Sequence, residues 1–390
     1  MYGFGVQGKR VTIMRKIRVL FNISGQDTWI GGIYYLRNII YQVSVNPLLR
    51  GRCIPVIVCS IKYSSLFLPF GDFASIITYD EKRKTQRVLA LLKGVQQADL
   101  IYNYHPNKLD PLGILEKKAI YWIPDFQDLH YPGYFSNQQL ESRRQRAEAI
   151  GKSTSPLVLS SQSCRDDFLS VYQKARKDIY IVPFVSAIED EIRQIESSFI
   201  HDILDKRKIP CKGFYLVSNQ FWQHKNHVVV FHAIAELKKR GVNVCFVFTG
   251  ALQDSRNKEF YTFLQRTIKE TGVESNTIIL GFISRKEQLA LMMASKAVVQ
   301  PSLFEGWGTV VEDAKVMDKT ILLSDIPVHR EQMNDKCILF DPHDPIALAD
   351  IIENTNKSEQ HDDVEKGIAD MHVRAQQYSK EIIRLLDSVV

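Results

Sequence analysis

Two carboxylates eight residues apart, Glu305 and Asp313, bracket a glycine-bearing loop in the stretch PSLFEGWGTVVEDA, residues 301–314. The apolar run 297–299 ahead of it reads as the end of a buried strand, and the residues from 309 onward as an amphipathic helix. Glu305 then stands just before two glycines, Gly306 and Gly308, and Asp313 lies in the first turns of the helix. A loop of this kind offers free backbone N–H groups and the positive end of a helix dipole, which together suit a phosphate. Carboxylates on both sides suit hydroxyl groups flanking a diphosphate, those of a sugar and of a ribose.

Three other groupings invite chemistry. Gly31 and Gly32 stand between an apolar run at 17–23 (IRVLFNI) and a helical run at 33–43. Either they place backbone amides at the C-terminal edge of a sheet or they make only a tight turn, and spacing leaves both open. His224 and His227 are three apart, but with no third ligand nearby they read as loop and helix-cap histidines rather than a metal pair. Residues 3–8 spell G-x-G-x-x-G ahead of the first strand, whereas a dinucleotide loop must follow a strand and open a helix. Of the tryptophans, Trp122, Trp222 and Trp307 are stacking candidates, with strand-end core contacts the stronger reading for the first two.

Positioning such groups requires a scaffold, and the chain supplies two. Strand-like runs at 53–59, 75–79, 98–102, 118–123, 156–161 and 179–185 alternate with helical patterns at 85–97, 136–151 and 162–173. After a polar stretch, 187–212, strands at 213–218, 243–249, 277–281, 296–300, 319–323 and 336–340 alternate with helices at 226–240, 256–271, 284–295, 309–318 and 344–356. Ser136 with Gln139, and Ser284 with Glu287, have the spacing of capping boxes. Such alternation predicts α/β architecture, two doubly wound Rossmann-like domains facing across a cleft. The expected divisions are 1–16, a disordered leader; 17–185, a first Rossmann-like domain; 186–367, a second; and 368–390, a C-terminal helix returning to the first domain.

Length and composition agree with this division. At 390 residues the chain exceeds one ordinary core. With 45% hydrophobic and 24% charged residues it has the make-up of a globular protein. A net charge of +6 suits small anions or an anionic surface and is too dispersed for nucleic acid. No apolar run approaches the roughly 18 residues of a spanning helix, and basic residues interrupt the N-terminus where a signal peptide would be apolar. The six cysteines form no C-x-x-C pair and read as buried thiols in a reducing compartment, which points to a cytoplasmic location. The run 82–93 (KRKTQRVLALLK) reads first as a solvated helix with one core face; as a basic amphipathic helix it also suits the inner face of an anionic membrane.

With these residues in place, the 301–314 stretch resembles the signature of the GT4 family of retaining, nucleotide-sugar-dependent glycosyltransferases of the GT-B fold. Segments 122–136 (WIPDFQDLHYPGYFS), 160–168 (SSQSCRDDF), 219–227 (NQFWQHKNH) and 323–333 (LSDIPVHREQM) extend the resemblance across both halves. It implies that Glu305 contacts sugar hydroxyls and that the amides of Gly306, Trp307, Gly308 and Thr309 approach sugar and diphosphate. It further implies that Asp313 holds the ribose, where the family has Glu. Glu312 points about 100° away around a helix and is not that residue. Lys225 matches the diphosphate-binding lysine, with Asn219 and Gln220 where the family's second cation stands. Gly31 and Gly32 match the loop against the donor phosphates. The family's first-domain histidine has Pro124 or Asp125 in its place. Asp125 is then either a hydroxyl-binding group or a turn carboxylate, and His130 is the nearest histidine on the acceptor side. The catalytic set implied is Glu305, Lys225 and Asp125.

The activity implied is metal-independent transfer, with no cofactor, of a sugar from a nucleotide diphosphate to a saccharide or lipid-linked saccharide in polysaccharide or O-antigen-type assembly. No Asp-x-Asp metal clamp occurs in the chain. A sugar-nucleotide epimerase, a glycogen-synthase-like enzyme and a catalytically silent nucleotide-binding module share much of the pattern. An oxidoreductase fits least, since neither half has a placed dinucleotide fingerprint.

Overall fold

The computed structural model describes residues 15–23, 30–104, 115–172, 178–210, 213–254, 256–358 and 361–389. The glycine spelling at 3–8, most of the expected leader and Cys211 lie outside them. Strands β1 Ile17–Ile23, β2 Cys53–Ser60, β3 Ser75–Tyr79, β4 Leu100–Tyr102, β5 Ala119–Ile123, β6 Leu157–Leu159 and β7 Ile179–Ile181 form one sheet in the order 3-2-1-4-5-6-7. Strands β8 Tyr215–Ser218, β9 Phe246–Thr249, β10 Thr277–Gly281, β11 Ala297–Gln300, β12 Ile321–Ser324 and β13 Cys337–Phe340 form a second, ordered 10-9-8-11-12-13. All these pairings are parallel.

The apolar runs make strands because both faces of each sheet are covered by helices. Alternation then sorts each strand between two cores. In the second sheet Leu216, Val298 and Leu323 enter one cluster and Tyr215, Val299 and Leu322 another. In the first, Phe21, Ile57 and Trp122 face the same cluster as Leu216, whereas Leu20, Val58 and Tyr121 face away. One apolar cluster therefore spans both halves.

Helix Val364–Asp387 helps to join them. Its Met371, Tyr378, Ile382 and Leu385 recur at helical spacing and enter the shared cluster. It lies against helix Thr309–Val316 of the second half and against β7 and helix Pro47–Arg52 of the first. At its start Gly367 allows close approach, since a Cβ there would stand 2.4 Å from the Val316 carbonyl oxygen.

Both expected capping boxes are formed, Ser136 with Gln139 and Ser284 with Glu287. The five described cysteines are free thiols, three of them buried. No described helix is long and apolar enough to cross a membrane. Several element boundaries differ from the sequence reading, three of them with consequences for the site or the join between halves. Helix Ile30–Val45 starts three residues early, so Gly31 and Gly32 occupy its first turn instead of a preceding loop. The polar stretch 187–212 contains helices Glu189–Arg193 and Ser197–Arg207; the second buries Ile203 and Leu204, too few apolar positions to stand out in sequence. The last helix begins at Val364, four residues before the apolar pattern suggests, with Asp363 accepting from the Lys366 N–H as its cap.

Candidate active site

Strand order reverses between β1 and β4 and between β8 and β11. Loops leaving the C-terminal ends of strands on either side of a reversal diverge and leave a crevice. A cleft of about 580 Å³ opens where the two crevices face each other. The first sheet contributes Gly31, Gly32 and Asp125 to its lining, and the second contributes Lys225, Glu305 and Asp313. A Cβ on Gly31 would stand 4.0 Å from the Thr309 methyl, so the starts of two helices meet across the gap.

Lys225 and Glu305 come from the loops after β8 and β11, the two sides of the second reversal, and this is why they meet. Lys225 Nζ donates to Glu305 Oε1 at 2.6 Å. The same carboxylate accepts from Ser302 Oγ at 2.6 Å and Gln300 Nε2 at 3.0 Å. Asn226, in the left-handed region at φ 52°, ties the lysine loop down by donating to the carbonyls of Pro301 (3.1 Å) and Pro342 (2.8 Å). Asn219 lines the cleft, but its amide is already engaged. Its amide exchanges two hydrogen bonds with Gln300, at 3.0 and 3.2 Å, and so braces Glu305 from behind.

The glycine loop is built more tightly than its sequence suggests. A Cβ on Gly306 would lie 2.2 Å from the Pro124 carbonyl oxygen, so only glycine lets the two halves approach there. Trp307 Nε1 donates across the gap to the Phe184 carbonyl at 3.0 Å, which makes it an interdomain tie and not a free stacking platform. The Gly308 N–H is taken by Gln332 Oε1 at 3.0 Å, and Gln332 Nε2 returns a bond to the Gly308 carbonyl. Gly308 therefore does not present its amide to a ligand. The N–H groups of the first turn beginning at Thr309 have no partner within their own helix and remain the anion-facing feature of the loop.

Asp313 lines the cleft and Glu312 does not. Arg285, first residue of helix Arg285–Ala294, grips Asp313 with two nearly parallel bonds of 2.6 and 2.7 Å, and Ser186, at the junction of the halves, donates a further short bond. The Arg285 guanidinium lies 5.2 Å from the Tyr34 ring centre. Glu312 points inward to Lys315 (3.0 Å) and Gln332 (3.0 Å) and is buried.

On the first-sheet side Asp125 reaches the cleft but is already engaged. Its Oδ1 accepts from the Gln127 N–H at 3.1 Å and from Arg143 Nη2 at 2.8 Å. His130 does not line the cleft. It is bonded to Asp167 at 2.8 Å, with its ring against Phe304, so the acceptor-side expectation for it is not met. Trp122 is buried and stacked on Tyr35, centroids 4.2 Å apart. Arg256 bridges the halves: it is paired with Asp254, donates to Gln127 Oε1 at 2.9 Å, and covers the rings of Trp222 and Phe135. Burial holds the pKa of His224 well below the ordinary histidine value, helped by Lys225 and Arg256, and that of His227 down to about 3. Both are thus neutral, and His227 stacks on Phe221. Among the described residues no three His, Cys, Asp or Glu converge as a metal site.

Sequence reasoning passed over Arg285, Gln300, Ser302, Arg256 and Gln332. Two carried a signal. Gln300 ends the otherwise apolar strand AVVQ at the sheet edge where ligands bind, and Arg285 follows the Ser284 cap directly.

Residues 202–370 match the family model described as glycosyl transferases group 1. A curated relative, the O-antigen chain mannosyltransferase RfbU of Salmonella typhimurium, is 23% identical over 160 residues, which is 39% of this chain. The match spans 40% of that relative's length. Among solved structures, Anabaena Alr3699/HepE in complex with UDP and glucose superposes with a TM-score of 0.69 at 18% identity, covering 95% of this chain and 100% of that one. A glycosyltransferase from Rickettsia africae superposes with a TM-score of 0.67 at 14% identity, covering 96% and 99%. Residues 202–370 thus resemble the group 1 glycosyl transferases, in a chain with the two-sheet GT-B fold of these solved structures.

Proposed function

We propose that the chain is a retaining, metal-independent hexosyltransferase that moves a sugar from a nucleotide diphosphate to a saccharide or lipid-linked saccharide in polysaccharide or O-antigen-type glycan assembly. The observation that carries this reading is the Lys225–Glu305 contact of 2.6 Å at the strand-order reversal, beside the facing starts of the Gly31 and Thr309 helices. The diphosphate lies between those helix starts, and Lys225 leaves Glu305 to meet it. Glu305 then turns to the sugar hydroxyls, and Asp313, held by Arg285, takes the ribose. Charge grows on the phosphate oxygen as the C1–O bond breaks, and Lys225 with the Thr309 amides stabilises it where Asp-x-Asp enzymes use a metal. The acceptor hydroxyl forms its bond to C1 from the same face. Its proton goes to the departing phosphate oxygen, the nearest base on that side. Asp125 orients the acceptor or sugar hydroxyl. The likeness of one stretch to an O-antigen mannosyltransferase supports the glycan class, and HepE with UDP and glucose supports the donor class.

A thermal-shift screen of UDP, GDP, ADP and TDP, followed by NMR of the product's anomeric configuration, tests this reading. One nucleotide is expected to stabilise the protein, and EDTA to leave transfer intact. No stabilisation by any of the four, an inverted product, or activity lost to EDTA and restored by Mg²⁺ defeats it.

A lipid-linked acceptor draws support from helix Lys84–Gln97, where Val88, Leu89 and Leu92 are 54–65% exposed beside Lys82, Arg83, Lys84 and Arg87. Such a face suits an anionic bilayer at the cytoplasmic side. Reversing those four charges to Glu is expected to abolish sedimentation with anionic vesicles; unchanged sedimentation refutes the docking.

A further inference from the structure

Six cations line the cleft: Arg37, Arg143, Arg146, Lys225, Arg256 and Arg285. Five have carboxylate partners: Glu191 for Arg37, Asp125 and Asp128 for Arg143, Glu305 for Lys225, Asp254 for Arg256, and Asp313 for Arg285. Arg146 has none among the described residues. It stands one turn after Arg143 on helix Asn137–Lys152 and donates one bond, Nη2 to the Trp122 carbonyl at 2.9 Å. Its Nε is buried with no partner. Burial, with Arg143 alongside, draws its pKa down to about 10. Gln127, only 7% exposed, adds a second vacant donor to the same wall: its Oε1 is taken by Arg256, while its Nε2 is buried and unbonded. Asp125, two residues before Gln127, already serves Arg143 and the Gln127 N–H, and reaches Arg146 only as a more distant charge.

A partly buried cation with no ion-pair partner and a buried, unbonded Nε weakens the fold, so its retention in a cleft wall calls for a ligand that completes it. Guanidinium offers only donors, and an unbonded amide N–H₂ adds more. Their complement is a group that only accepts and carries negative charge, a phosphate or a carboxylate. The donor's diphosphate is not that group. It belongs between Gly31, beyond β1, and Thr309, whereas Arg146 is fixed to the end of β5. β5 lies two strands from β1, roughly 10 Å along the sheet edge. A hexose fills that interval.

We propose that Arg146, with Gln127, binds an oxyanion carried by the acceptor, so that this cleft takes an anionic glycan, phosphorylated or uronic, in preference to a neutral one. The placement of donor and acceptor rests on the function proposed above. The test follows the Arg146 Nε–H resonance in arginine-labelled full-length protein, assigned by its loss in Arg146→Lys. Inorganic phosphate is titrated with and without saturating nucleoside diphosphate. The resonance is expected to move and saturate in the millimolar range in both cases, about 1–10 mM. Arg146→Gln should keep nucleotide affinity within about twofold while hexose 6-phosphate or hexuronate binding falls about tenfold or more. Whichever of these two sugars outcompetes the neutral hexose identifies the oxyanion as phosphate or carboxylate. A resonance that ignores phosphate, or that moves with the nucleotide and then no longer responds to phosphate, overturns the proposal. So does equal binding of the neutral hexose. If no nucleotide binds but phosphate still moves the signal, the donor assignment fails and the oxyanion site stands.

Discussion

Replacing Lys225 by Met tests the centre of the site most directly. At 2.6 Å and an effective dielectric near 20, the attraction between Lys225 and Glu305 is about 6 kcal/mol. Desolvation of both groups offsets most of that, so the pair adds little net stability in the empty cleft. Its consequence is a lysine held at the mouth of the Thr309 helix and released to a stronger anion. A phosphate oxygen about 4 Å from Nζ, gaining one charge as the sugar departs, gains about 4 kcal/mol from the lysine at the same dielectric. Losing it is therefore expected to lower kcat by about 10²–10³-fold, the range found when one preorganised donor is removed. Glu305→Gln separates the roles. It frees Lys225, so affinity for the bare nucleoside diphosphate holds or rises while transfer and sugar-donor affinity fall. Initial rates at saturating donor, with calorimetric titration of the nucleotide, measure both. A kcat for Lys225→Met within about threefold of the parent would refute the reasoning. So would a Glu305→Gln variant that loses nucleotide affinity as fully as Lys225→Met.

The other substitutions follow from the same geometry. Asp313→Asn is expected to weaken nucleotide binding by about tenfold or more, whereas Glu312→Gln, which strips Lys315 of its buried partner, should lower Tm and leave nucleotide affinity alone; the reverse pattern would mean that the helix is turned the other way. Gly306→Ala places a methyl against the Pro124 carbonyl, so small-angle scattering should report a more open molecule and transfer should fall; unchanged scattering and rate would show that the loops yield. Burial draws the pKa of His227 down to about 3 and that of His329, enclosed in helix Pro327–Gln332, down to about 4, against about 6.5 when unfolded. The unfolded chain then takes up protons that the fold refuses, so stability is whole above pH 6.5 and falls by about 1.4 kcal/mol per pH unit for each histidine as pH drops toward 4. Urea midpoints at pH 7.5 and 5 should differ accordingly, and less so in His227→Phe; equal midpoints would contradict the assignment.

Much of this fold was legible because parallel strands buried on both faces are written as continuous apolar runs, and AVVQ, ILLS and FVFT need no partner to be recognised. The helices over 187–212 escaped because Glu189–Arg193 and Ser197–Arg207 bury only a few side chains among many charges. The position of Asp313 was legible from helical angle alone, since Glu312 one residue earlier must face elsewhere. What escaped at the site are groups whose meaning depends on contact across the chain. Asn219 looks like a ligand-binding amide until Gln300, 81 residues later, takes both ends of it. Gly308 looks like a free amide until Gln332 closes on it.

The aspartate at 313 draws these cases together. In sequence it is a shortened version of a family glutamate, a loss of reach by one methylene. In the fold the reach is supplied by another chain segment: Arg285, on a different helix, meets both carboxylate oxygens and lies over Tyr34 from the facing half. Carboxylate and guanidinium form one rigid unit with donors and acceptors at the cleft edge, which a lone, longer glutamate on the same helix would not provide. A side chain that departs from a pattern is thus best judged with the partner that departs alongside it, and that partner is visible only once the sheet that carries both helices is assembled in space.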